Sequence, residues 1–135
     1  MYFIYGDGGT GKTSLLKQLK GHKFVFSFDM SSNVLIGDKD VDVVIFEHND
    51  APNIQAMVEE CIIRAIQNAK YQVIVLDNVT ALQNLVLENI DNAAKDNRQN
   101  YQKLQLWFRD LGTILKESGK TCLLYTSDAA DDMQC

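Results

Sequence analysis

Gly6-Asp7-Gly8-Gly9-Thr10-Gly11-Lys12-Thr13 satisfies the pattern G-x-x-x-x-G-K-[ST] at every fixed position. An apolar run, Tyr2-Phe3-Ile4-Tyr5, leads into it, and Leu15, Leu16 and Leu19 follow on one face of a helical pattern. The stretch therefore has the context such a loop needs: a buried strand before it and a helix start after it. Glycines let several backbone N–H groups approach phosphate oxygens together, and they tolerate positive φ. The first helical turn adds unpaired N–H groups and the positive end of the helix dipole. Lys12 is the candidate to bring an ammonium to the β- and γ-phosphates, and Thr13 to bring a hydroxyl to Mg²⁺. The bland alternative is a glycine-rich turn that binds nothing. The lysine, the threonine, the strand and the helix, all in their places, stand against it.

The rest of the composition sets bounds. At 135 residues, 46% of them hydrophobic, the chain is expected to be one globular domain. A net charge of −5 argues against broad electrostatic binding to nucleic acid, though not against a local basic strip. No apolar run approaches transmembrane length, and no signal peptide precedes the loop. Cys61, Cys122 and Cys135 show no metal-ligand spacing, so the expectation is a cytoplasmic protein with reduced thiols and no membrane contact.

Beyond the first helix, Gly21-His22 is a stop signal, and Lys23 to Phe28 reads as a second strand closed by Asp29. Asp29 is a candidate to orient an attacking water, or else a turn-forming residue before Ser31-Ser32-Asn33. Val41 to Phe46 is a third apolar run, ending in Glu47-His48-Asn49-Asp50. Glu47 is the second candidate for water activation, whereas His48 reads as solvated surface. Asp50 or Asn53 is expected to cap the next helix. There Ile54, Met57, Val58, Cys61, Ile62, Ala65, Ile66 and Ala69 share a face, which makes Met57 and Cys61 core filling.

Tyr71-Gln72-Val73-Ile74-Val75-Leu76-Asp77 is the second informative stretch. A buried strand ending in aspartate, downstream of a glycine loop, places Asp77 as a candidate holder of the Mg²⁺ water shell near Thr13. Its alternative is a plain N-cap for the helix over Val79 to Ile90. Asp91 to Asn100 is polar and is expected to be a loop or frayed helix. Tyr101, Leu104, Trp107, Phe108, Leu111, Ile114 and Leu115 then form a helical stripe. Trp107 and Phe108 read as core on that stripe, with base stacking as the alternative. Gly119 ends the helix, and Thr121 starts a new strand.

With Gly6–Thr13 and Val73–Asp77 both placed, the chain resembles RecA-like P-loop ATPases of the AAA/ASCE type. It is similar to compact phage ATP-binding proteins of single-strand annealing and recombination. Asp77-Asn78-Val79-Thr80-Ala81-Leu82 and the order of elements around Trp107 and Gly119 carry the likeness, over roughly residues 1–121. The resemblance implies an α/β fold: three layers, a mainly parallel sheet, and the strand starting at Thr121 inserted between the Tyr2–Tyr5 and Val73–Leu76 strands. It implies ATP and Mg²⁺ as cofactors and contacts to nucleotide from Gly6, Asp7, Gly8, Gly9, Thr10, Gly11, Lys12, Thr13 and Ser14. Thr13 and Asp77 would stand nearest the metal. Catalysis would fall to Lys12 with Asp29, where the family usually has Glu, and Glu47 in reserve. Single-stranded DNA and a homo-oligomer of the full-length protein are the implied partners.

Cys122-Leu123-Leu124-Tyr125-Thr126-Ser127-Asp128-Ala129-Ala130-Asp131 resembles something else, the translation of a transposon-end sequencing adapter. That likeness implies an artefactual tail over 122–135 and missing C-terminal strands. Residues from Tyr125 onward are then expected to pack poorly. Without Asp128, Asp131 and Asp132 the charge of −5 falls to −2, which weakens the argument against DNA. Two other functions remain open on the sequence: a P-loop small-molecule kinase, and a non-catalytic nucleotide-binding switch.

Overall fold

The computed structural model of the chain describes residues 2–5, 18–28, 39–91 and 97–126. Among them five strands form one sheet: β1 (Tyr2–Tyr5), β2 (His22–Ser27), β3 (Val41–Ile45), β4 (Tyr71–Asp77) and β5 (Thr121–Thr126). Every pairing is parallel, and the order across the sheet is β1-β5-β4-β2-β3. β5 lies between β1 and β4, the position the resemblance implied. Parallel neighbours need crossovers, and those described are helical. A 3-10 helix at His48–Asn53 and α1 (Ile54–Gln67) join β3 to β4. α2 (Val79–Asp91) and α3 (Asn97–Glu117) lie between β4 and β5.

β4 is apolar along most of its length because both of its faces are covered. One sheet face carries Phe26, Ile74, Leu76 and Leu124, packed against Ile54, Val58 and Ile62 of α1, Val79, Leu82 and Val86 of α2, and Leu104, Leu111 and Leu115 of α3. Ile54, Val58 and Ile62 recur at helical spacing and are 0% exposed. Burying each such side chain stabilises the fold by about 1.5–3 kcal/mol. The opposite face carries Val25, Val41, Val73, Val75 and Leu123, with Leu19 packed on them. All three described helices thus lie on one face. The helix expected over the other, through Leu15 and Leu16, lies outside the described residues apart from Gln18 and Leu19.

Some expectations are corrected. Tyr125 and Thr126 do not pack poorly: they are 5% and 2% exposed and finish β5. Tyr125 is in register with Ile4 and Asp77, and Thr126 with Tyr5. A strand with neighbours on both sides is held by its backbone ladder, and Cys122, Leu123, Leu124 and Tyr125 pack into the two cores. Residues 127–135 lie outside the described residues. Of the loop and the frayed helix open for 91–100, the described residues take the helical form. Asp91 closes α2 and α3 already begins at Asn97, where the Leu104 stripe reaches back to Asn100, 1% exposed. Met57, Cys61, Trp107 and Phe108 pack against the core, as their spacing indicated.

Candidate functional site

In an all-parallel sheet every strand ends at the same edge, and ligands of open α/β sheets bind beyond that edge. Tyr5 is the last residue of β1, so the glycine loop continues from this edge. Across it, Ser27 on β2 is in register with Asp77 on β4, and Asp77 with Tyr125 on β5. Alternation along the strands puts Ser27 and Asp77 on the face of Val25, Val73 and Val75, opposite the three helices. Asp77 is 1% exposed. Burial first, and then the nearby Asp77 charge, push the Tyr125 phenol up to about 12.

Backbone hydrogen bonds complete the edge. Phe28 N–H donates to the Asp77 carbonyl at 2.8 Å, and Phe46 N–H donates to the Ser27 carbonyl at 2.8 Å. The peptide bond between Asp77 and Asn78 is cis. Asn78 caps α2: its Oδ1 accepts from Thr80 N–H at 2.8 Å, while Leu82 N–H reaches its carbonyl at 3.1 Å. Capping was legible in an Asn two residues before Thr80 at the start of an apolar period.

The other sequence candidates fall in different places. Glu47 is exposed and follows β3, the strand farthest from β1. Its N–H donates to Asp50 Oδ2 at 2.8 Å, which uses Asp50 in the 3-10 helix. Asn53 occupies the N-cap of α1 with no side-chain cap bond. Gly6, Asp7, Gly8, Gly9, Thr10, Gly11, Lys12, Thr13, Ser14 and Asp29 lie outside the described residues. Ser27 was missed by sequence reasoning, although a polar residue between Phe26 and Phe28 in an otherwise apolar strand was its signal. Among the described residues no group of three or more His, Cys, Asp and Glu is placed to hold a metal. No described helix is long and apolar enough to cross a membrane.

The opposite edge is built for structure. Asp42 at the start of β3 accepts from the Tyr71 hydroxyl and from Lys70 Nζ. Lys120 Nζ donates to the carbonyls of Asn68 and Tyr71, and Lys23 Nζ to that of Gly21 at 3.0 Å. These cations are used to hold the strand starts together.

Comparison with known proteins agrees with this arrangement. No match was found among curated proteins. The family model described as an AAA domain matches residues 1–132, nearly the whole chain. The chain belongs to the AAA domain family, a family of nucleotide-binding P-loop ATPases.

Proposed function

We propose that this chain binds ATP with Mg²⁺ at the carboxyl edge of its sheet and hydrolyses it. The observation that carries the reading is a carboxylate, Asp77, buried at the end of β4, two strands from β1, whose end continues into the Gly6–Thr13 loop. Lys12 is assigned to the β- and γ-phosphates, with Gly6 to Gly11 and Ser14 around them. Thr13 and Asp77 are assigned to the metal and its water shell. The donors fit a hard cation: they are oxygens, and the Ser27 hydroxyl beside Asp77 is buried without a partner among the described residues. Bound Mg²⁺ supplies charge neutralisation for the phosphates. Asp29, which follows in sequence the strand third from β1, is favoured over Glu47, which is exposed and follows the strand fourth from β1, as the group that orients the attacking water.

The finer reading is a three-layer RecA-like ATPase that works on single-stranded DNA in recombination or annealing, as a homo-oligomer in the cytoplasm of a bacterium or phage-infected cell. The insertion of β5 between β1 and β4 supports it over a small-molecule kinase, in which those two strands would pair directly. The test is ATP binding and turnover with and without single-stranded DNA. Lys12→Ala should lower turnover by about a hundredfold, since phosphate charge would go uncompensated. Unchanged binding and turnover in that variant would sink the assignment. Phosphate transfer to a small acceptor, with no DNA response, would favour the kinase. Binding without turnover would favour the switch.

A further inference from the structure

Ser27 ends β2 with its side chain 0% exposed. Its Oγ has no hydrogen-bond partner among the described residues. That is unusual company for a hydroxyl, because a buried polar group left unsatisfied destabilises the fold. Alanine would fill the same place at no such cost. Lys23 donates to the Gly21 carbonyl, and Asp77, Asn100 and Thr126 have interactions of their own; His22 Nε2, at the opposite edge of the sheet, shares with Ser27 Oγ the lack of a hydrogen-bond partner among the described residues.

Placement says what the hydroxyl faces. Phe26 and Phe28, its neighbours in the chain, pack into the helix-covered face. Ser27 therefore points to the other side, the side of Val25, and is level with Asp77 on the adjacent strand. Strands this close are about 4.8 Å apart, so the hydroxyl and the carboxylate border one small space at the carboxyl edge. An anion is disfavoured there by the Asp77 charge. A water polarised by a divalent cation suits it, because such a water donates two strong hydrogen bonds and both neighbours accept.

We propose that Ser27 is a positioning residue of the nucleotide site, whose hydroxyl, together with the Asp77 carboxylate, receives a water of the Mg²⁺ shell when the Mg²⁺–nucleotide complex binds. The inference rests on the nucleotide-binding function above and adds a residue to it. It gives the buried hydroxyl at the end of β2 a hydrogen-bond partner in the nucleotide-bound chain.

The test is the melting temperature of the purified chain, alone, with ADP in EDTA, and with ADP over a Mg²⁺ titration. Ser27→Ala should melt at the wild-type temperature or higher without ligand, because it removes an unsatisfied group. It should keep the response to ADP in EDTA and need about tenfold more Mg²⁺ for half of the Mg²⁺-dependent shift. Ser27→Cys, near in size but a weak acceptor, should behave like Ser27→Ala. A lower melting temperature without ligand combined with a wild-type Mg²⁺ titration would make the hydroxyl structural and overturn the proposal. So would wild-type Mg²⁺ dependence in both variants. If the wild type itself gains nothing from ADP and Mg²⁺, the nucleotide-binding function fails and this inference falls with it.

Discussion

Tyr71 at the start of β4 donates a 2.5 Å hydrogen bond to Asp42 Oδ2 at the start of β3, across β2, which separates the two strands. The same oxygen lies 3.2 Å from Lys70 Nζ and 3.2 Å from His22 Nε2, the latter out of line for a hydrogen bond. The Tyr71 hydroxyl, with Lys70 after it, holds the Asp42 carboxyl below its ordinary 3.8 against the opposing effect of burial. A carboxylate with a depressed folded-state pKa stabilises the fold above its unfolded value, and the contribution is lost as pH falls through the folded value. Tyr71→Phe keeps the ring against Phe24 but loses the bond, so it should cost about 1 kcal/mol in urea unfolding at pH 7. The difference between wild type and variant should shrink as Asp42 protonates. A loss that persists undiminished at pH 2 would mean ring repacking instead.

Alkali should act through the phenols. Burial and then the Asp42 bond push Tyr71 up to about 12, and burial and the Asp77 charge push Tyr125 up to about 12. Both groups titrate near 10 when unfolded. Their neutral forms are favoured in the folded chain, so this stability is complete below pH 10 and is lost as pH rises towards 12. Unfolding midpoints in urea should therefore fall across that window. Tyr71→Phe should fall less steeply than wild type, and equal slopes would remove Tyr71 from the account.

Much of this fold is legible because its strands are buried on both faces or bounded by clear stops. Tyr71 to Asp77 reads as a strand and forms one over those residues. The α1 stripe from Ile54 follows from spacing alone, and the insertion of β5 from resemblance. Register is a different matter. That Ser27 and Asp77 stand level depends on pairing between strands 44 residues or more apart in sequence, and no local pattern encodes it. The 3-10 helix at His48–Asn53 was missed because Pro52 and two asparagines read as loop. Tyr125 and Thr126 pack, where the adapter resemblance implied that they would not, because they lie in a strand paired on both sides.

Asp77→Asn separates metal handling from simple nucleotide contact. The change is nearly isosteric in a site 1% exposed, so packing should hold. Turnover with Mg²⁺ should drop about 10- to 100-fold, while nucleotide binding in EDTA should stay near wild type. The Tyr125 phenol should also titrate lower, since one of the two causes of its raised value is gone. Ultraviolet titration of the phenols reads that directly. Equal loss of binding and turnover would reduce Asp77 to a structural role.

Trp107 reports on whether α3 is core or a DNA-stacking surface. It is the single tryptophan of the chain, on a stripe with Leu104, Phe108, Leu111 and Leu115 that faces the sheet. Its ring meets Phe108 edge-on at 5.1 Å, and its Nε1–H donates to Glu59 Oε1 on α1 at 2.7 Å. A ring engaged on its edge by a neighbour and on its nitrogen by another helix would have to leave the core to stack on a base. Stacking contributes about 1–3 kcal/mol per base, less than the cost of unpacking a large aromatic, about 3–5 kcal/mol. Adding single-stranded DNA should therefore leave the intrinsic tryptophan emission unchanged, whereas urea should shift it to the red as α3 comes away. Trp107→Phe should destabilise the chain by about 1 kcal/mol through the lost Glu59 bond and leave any DNA-stimulated ATP turnover intact. Quenching by an oligonucleotide at concentrations that do not unfold the protein, with loss of DNA stimulation in Trp107→Phe, would assign the ring to DNA.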